Sequence, residues 1–102
     1  MHKQDTLIDA VLEESGLTLE QLAEICGVDP EWIVRHIEEG LLEPLPQHSK
    51  EWRFSSTSLL RVRRIVVLER DFEAVPELAA LVADMQEEID ALRRRLRRAG
   101  LE

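Results

Sequence analysis

Two short stretches, each opened by a helix-start signal and closed by a glycine, constrain this chain more than anything else in it. Thr18 is a residue type that caps a helix N-terminus, and Gln21, three places on, can return the bond in a capping box. Leu19, Leu22, Ala23 and Cys26 follow at helical spacing, and Gly27 supplies the left-handed residue that ends such a helix. Asp29-Pro30-Glu31 then starts again, with Asp as cap, Pro at the first helical position and an acid in the first turn. Trp32, Ile33, His36 and Ile37 make the inward face of this second helix, and Gly40 stops it. Two short helices joined through Gly27-Val28 make a helix-turn-helix.

The segments around it read less sharply. Leu7, Ile8, Ala10, Val11 and Leu12 are ambiguous between strand and helix. Residues 41–49 hold two prolines and no helical period, so they form a loop. Trp52-Arg53-Phe54 is a short strand-like run, and Ser55 or Ser56 caps a third helix. The apolar residues of that helix are Leu59, Leu60, Val62, Val66, Val67 and Phe72, with Ile65 beside them. Pro76 opens a fourth helix that runs to about Ala99, roughly twice the usual length of a globular helix.

The fourth helix carries a heptad seam. Leu78, Val82, Met85, Ile89, Leu92 and Leu96 alternate steps of four and three, with Val82, Ile89 and Leu96 at position a and Leu78, Met85 and Leu92 at position d. A seam of this kind suits two strands. Its first half is expected to pack on the chain's own third helix. From Ile89 onward a second copy is the expected cover, so the six residues are assigned to dimerisation. Asp84, Glu87, Glu88 and Asp90 precede Arg93, Arg94, Arg95, Arg97 and Arg98, and this order favours an antiparallel pair centred near residue 91. The expected organisation is a winged-helix unit over residues 1–72 and a dimerising helix over residues 73–102.

Charge excludes some functions. The net charge is −8, and residues 1–58 carry all of the excess, with 12 acids against 4 bases. Between Glu20 and Glu43 stand Glu20, Glu24, Asp29, Glu31, Glu38, Glu39 and Glu43 against the single base Arg35. A DNA-binding surface gains most of its affinity by neutralising phosphates, and this one repels them. The helix-turn-helix therefore speaks for fold rather than for DNA binding. The basic stretches Arg61, Arg63, Arg64 and Arg93–Arg98 keep DNA binding as the alternative; for the arginine tail the favoured reading is a solvated helix end.

Nothing points to catalysis, and no metal or cofactor is expected. His2, His36 and His48 have no ligand spacing, and Cys26 reads as a small core residue. Trp32 and Trp52 read first as core, although tryptophan is favoured at interface hot spots. No apolar run approaches the roughly 18 residues of a membrane span, and the start lacks the order of a signal peptide. With one cysteine there is no disulfide within the chain, and a cytoplasmic protein is expected.

The stretch LTLEQLAEICGVDPEWIVRHIEEGLLEP, with WRFSS after it, resembles the MerR superfamily of winged helix-turn-helix proteins with a coil-forming helix. The DNA-contacting positions depart from that pattern. Trp32, Ile33, Val34, Arg35 and His36 stand where MerR regulators have Thr-Ile-Arg-Tyr-Tyr, and of the wing's Gly-Tyr-Arg only Arg53 remains, preceded by Trp52. A narrower group is similar over nearly the full length: the CbpM-type chaperone modulators. The carriers are EEGLLEP, EWRF, SLLRVRRIVVLERDF and EEIDALRRRLRR, in that order. This resemblance implies a mainly α, MerR-like fold. It also implies a protein that binds and inhibits the J-domain of a DnaJ-like, CbpA-type co-chaperone. Such a domain presents a basic helix to its Hsp70 partner, so the acidic Glu31, Glu38, Glu39 and Glu43, with Arg35, are the expected contacts, and Trp52 and Arg53 on the wing join them. The alternative is a MerR-type transcriptional regulator.

Overall fold

The capping box forms. In the computed structural model, which describes residues 16–46 and 50–101, helix α1 spans Leu19–Cys26. The Thr18 amide donates to Gln21 Oε1 at 2.9 Å, and the Gln21 amide donates to Thr18 Oγ1 at 3.1 Å. Gly27 turns left-handed at φ 69°, and the Val28 amide closes the end on the Ala23 carbonyl at 3.0 Å. Helix α2 spans Pro30–Glu38. Asp29 occupies its cap position without a side-chain bond; the Trp32 amide donates to the Asp29 carbonyl instead, at 2.9 Å. Gly40, at φ 77°, lets the Leu41 amide reach the His36 carbonyl at 2.8 Å. The ambiguous stretch between Leu7 and Leu12 lies outside the described residues.

The strand-like run has a partner that the sequence reading did not supply. Leu17–Thr18 forms β1 and Arg53–Phe54 forms β2, paired antiparallel with Leu17 opposite Phe54 and Thr18 opposite Arg53. Gly16 sits at φ 88°, and a Cβ there would stand 2.7 Å from the Phe54 carbonyl oxygen, so the approach of the two backbones requires glycine.

Helix α3, Ser56–Asp71, is capped by Ser55, whose hydroxyl accepts from the Ser58 amide at 3.2 Å. It is the central element of the core. Leu59, Val62, Ile65 and Val66 are buried with Leu17, Leu22, Ile33 and Phe54. Leu60, Val67 and Phe72, expected on the same face, are exposed. The helix-turn-helix covers one flank of α3 and helix α4, Pro76–Arg98, covers another, which leaves the third in water.

Helix α4 corrects the expected packing of the seam. It lies on α3 through Ala79, Ala80 and Ala83, all buried. Small side chains let helix axes approach closely. At 3.6 residues per turn the seam is on nearly the opposite side. Leu78, Met85, Ile89, Leu92 and Leu96 are each between 42% and 59% exposed, and only Val82, at the edge, is half-buried. Thus no part of the seam, first half included, uses α3 as its cover. The fold is mainly helical, and among the described residues no helix is long and apolar enough to cross a membrane.

Candidate protein-interaction surfaces

Helix α2 presents its acidic residues because its other side is anchored. Ile33 and His36 are buried, and Trp32 and Ile37 pack half-buried against the core. His36 is held at both ring nitrogens. Its Nδ1 lies 2.7 Å from the Trp32 carbonyl oxygen and its Nε2 lies 2.8 Å from Glu69 Oε2. The Trp32 indole N–H donates to the other oxygen of Glu69 at 3.2 Å, and the Trp32 and His36 rings stack 3.6 Å apart. Both imidazole nitrogens therefore have an oxygen partner. Glu69, on α3, was not singled out from the sequence.

That anchoring turns Glu31, Arg35 and Glu38 outward, one turn apart along a single stripe, with Glu39 at the end of the helix; all four are exposed. Val34 is half-buried beside them. Glu43 is exposed but stands elsewhere. It lines a cleft of about 410 Å³ with Gly40, Leu41, Arg61, Asp84 and Glu87. Trp52 lines a third place, a groove of about 320 Å³ with Thr18, Glu20 and Lys50, while Arg53 pairs with Glu51 at 3.5 Å. Of the seven expected contact residues, Glu31, Arg35, Glu38 and Glu39 lie along α2 and its end, Glu43 and Trp52 line two separate depressions, and Arg53 lines neither of these.

Arg61 organises the cleft. Its Nε donates to the Leu41 carbonyl at 2.9 Å, and its Nη1 donates to Asp84 at 2.7 Å and to Glu87 at 2.9 Å. Burial works against the guanidinium charge. The hydrogen bonds to Glu87 and Asp84 outweigh it and hold the pKa above its ordinary value. Further along, Arg64 donates to Asp90 at 2.7 Å. Cys26 is no nucleophile: burial pushes its thiol up to about 11, against a smaller opposite pull from Arg63. His2 and His48 lie outside the described residues, among which no group of three His, Cys, Asp or Glu is placed to hold a metal.

Residues 17–99 match the family model of the MerR HTH family regulatory proteins. The chain belongs to that family. Among its curated relatives, the chaperone modulatory protein CbpM of Pseudomonas entomophila is 29% identical over 77 residues, 76% of each chain. CbpM of Pseudomonas putida is 27% identical over the same length and coverage. CbpM of Coxiella burnetii is 27% identical over 88 residues, covering 85% of this chain and 83% of its own. No solved structure matches the chain. This MerR-family protein thus keeps the helix-turn-helix framework with an acidic outer stripe on its second helix, and the curated relatives given above are named chaperone modulatory proteins.

Proposed function

We propose that this MerR-family protein is a cytoplasmic chaperone modulator. It binds the J-domain of a DnaJ-like, CbpA-type co-chaperone and inhibits it by occupying the basic helix that an Hsp70 would contact. It acts as a homodimer, and the winged-helix unit up to residue 72 carries the binding surface while the segment from residue 73 onward carries self-association. The observation that carries this reading is the exposed stripe of Glu31, Arg35 and Glu38 with Glu39 at its end, where a DNA-reading relative needs net positive charge. The names of the curated relatives support it. On this reading Glu43, Trp52 and Arg53 are further contact residues outside the stripe.

Electrostatics steer such an encounter, so affinity falls as salt rises. Replacing Glu38 and Glu39 together by lysine sets like charges against the basic helix, while both positions are exposed and folding survives. Isothermal titration against the purified J-domain at two salt concentrations is the test. A loss of affinity of roughly tenfold or more, greatest at low salt, is expected. An unchanged affinity in both buffers moves the interface to the wing or to α3. On the alternative reading, a MerR-type regulator retards duplex DNA at low salt; the present one predicts no retardation.

A further inference from the structure

We propose that the corner between α3 and α4, with Phe72 at its tip, is a second contact for the same basic partner: an apolar anchor beside the acidic stripe of α2. This deepens the J-domain reading above and rests on it. The stripe itself lacks such an anchor. Ile33 is buried and Trp32, Val34 and Ile37 are half-buried, so no large apolar side chain of α2 stands free in water. The stripe therefore offers charge alone. Exposed ion pairs are individually weak, and they govern the rate of encounter more than its affinity. Most of the binding energy of an interface comes from a few anchors, aromatic ones above all.

The corner supplies one. Phe72 is 71% exposed and Val75 is 58% exposed. Among the described residues Phe72 is the one aromatic ring that is mostly in water, since Trp32 and Trp52 are half-buried and Phe54 is buried. Both corner residues precede Leu78, where the seam assigned to self-association begins. The corner is also held in shape. The Phe72 and Ala74 amides both donate to the Leu68 carbonyl, at 3.2 and 3.1 Å, and Glu73 between them turns left-handed at φ 53°. Phe72 is thus presented on a fixed turn, and little backbone freedom is lost when a partner covers it. An exposed apolar patch rimmed by polar groups marks an interaction surface.

Place and charge choose the occupant. Glu69, one turn before Phe72, holds Trp32 and His36 of α2, and Arg70 donates to the Gly27 carbonyl at 2.7 Å. The last turn of α3 therefore runs beside the start of α2, and the corner adjoins the helix that carries the stripe. Its rim is anionic. Asp71, Glu73 and Glu77 are exposed and form no ion pair among the described residues, while Arg70, the one base between Glu69 and Glu77, is engaged at Gly27. A helix with basic residues along one side and an apolar recess for the Phe72 ring fits stripe and corner together. A second copy fits badly, because a two-fold contact through Phe72 sets one anionic rim against the other.

Isothermal titration of the full chain against the purified J-domain at two salt concentrations tests this, with wild type and Phe72→Ala side by side. Phe72→Ala is expected to weaken binding by roughly tenfold or more. The factor is the same in both buffers, because the lost contact is apolar, whereas reversing Glu38 and Glu39 costs most at low salt. Sedimentation and melting of Phe72→Ala stay those of wild type, since the ring stands in water. A wild-type chain that does not bind the J-domain overturns the proposal together with the J-domain reading. Wild-type binding with an equal affinity for Phe72→Ala overturns the corner contact and leaves that reading standing. So does a smaller sedimentation coefficient for Phe72→Ala, which assigns the ring to a contact between copies. As a second measurement, Cys26, the only cysteine, is replaced by alanine and Phe72→Cys is added. Alkylation of the new thiol is expected to slow at least tenfold under saturating J-domain, and an unchanged rate also overturns the corner contact.

Discussion

Replacing Glu69 by alanine tests the anchoring of the acidic helix. The carboxylate accepts from the Trp32 indole and from His36 Nε2, and the side chains of His36 and Glu69 are 5% and 18% exposed. With Glu69 shortened, the His36 N–H loses its acceptor where water has little access, a loss of about 1–3 kcal/mol. The half-buried Trp32 indole loses a bond worth about 1 kcal/mol but regains part of it from solvent. Together these give a destabilisation of about 3 kcal/mol. In a domain of this size that lowers Tm by about 12–24 °C, since each kcal/mol shifts it by about 4–8 °C. Glu69→Gln keeps one acceptor and falls between. Thermal and urea unfolding followed by circular dichroism, at one fixed protein concentration because self-association shifts apparent stability, gives the values. A change within about 0.5 kcal/mol, the range of an ordinary surface substitution, refutes the argument that this trio locks α2 to α3.

Three further outcomes are expected. Gly16→Ala strains a residue at φ 88° and drives its Cβ into the Phe54 carbonyl, at 2.7 Å; unfolding should show a loss of about 1–3 kcal/mol. Ala83→Leu overfills the fully buried contact between α3 and α4 and costs about 1–3 kcal/mol in the same measurement. The Cys26 thiol, ordinarily 9.0 and here raised to about 11, should be alkylated at pH 8 about a hundredfold more slowly in the folded protein than after unfolding, because the thiolate is the reactive form. The sign follows: ionisation is easier in the unfolded chain, so Cys26 lowers stability as pH rises from 9.0 towards about 11.

Much of the helix-turn-helix was legible because its signals are local. Thr18 with Gln21, Gly27, Pro30 and Gly40 act within one turn of where they stand, and the spacing of Trp32, Ile33, His36 and Ile37 set which side of α2 faces inward. The β1–β2 pair escaped because two residues per strand carry no period, and its register depends on a contact between Leu17 and Phe54. The face of α4 was misassigned for a different reason. Pattern reading weights large side chains, and Leu and Ile mark the seam, yet Ala79, Ala80 and Ala83 are the ones that disappear, because their small size lets α3 come close. Glu69 left no trace of its own. The signal was His36 on an inward face, since a buried imidazole needs partners for both nitrogens.

Arg61 joins the exit of α2 to the flank of α4 through one guanidinium. Asp84 and Glu87 are thereby linked through one side chain to the Leu41 carbonyl, one residue past the glycine that ends the α2 turn. The thermodynamic consequence is reciprocity: if self-association through the segment from residue 73 onward, as proposed above, changes the geometry at Leu41, it changes affinity at the α2 stripe by some factor, and a ligand on that stripe must then change the association of the two copies to match. Measuring partner affinity above and below the dimer dissociation constant reads that factor directly, and Arg61→Ala should bring it to one.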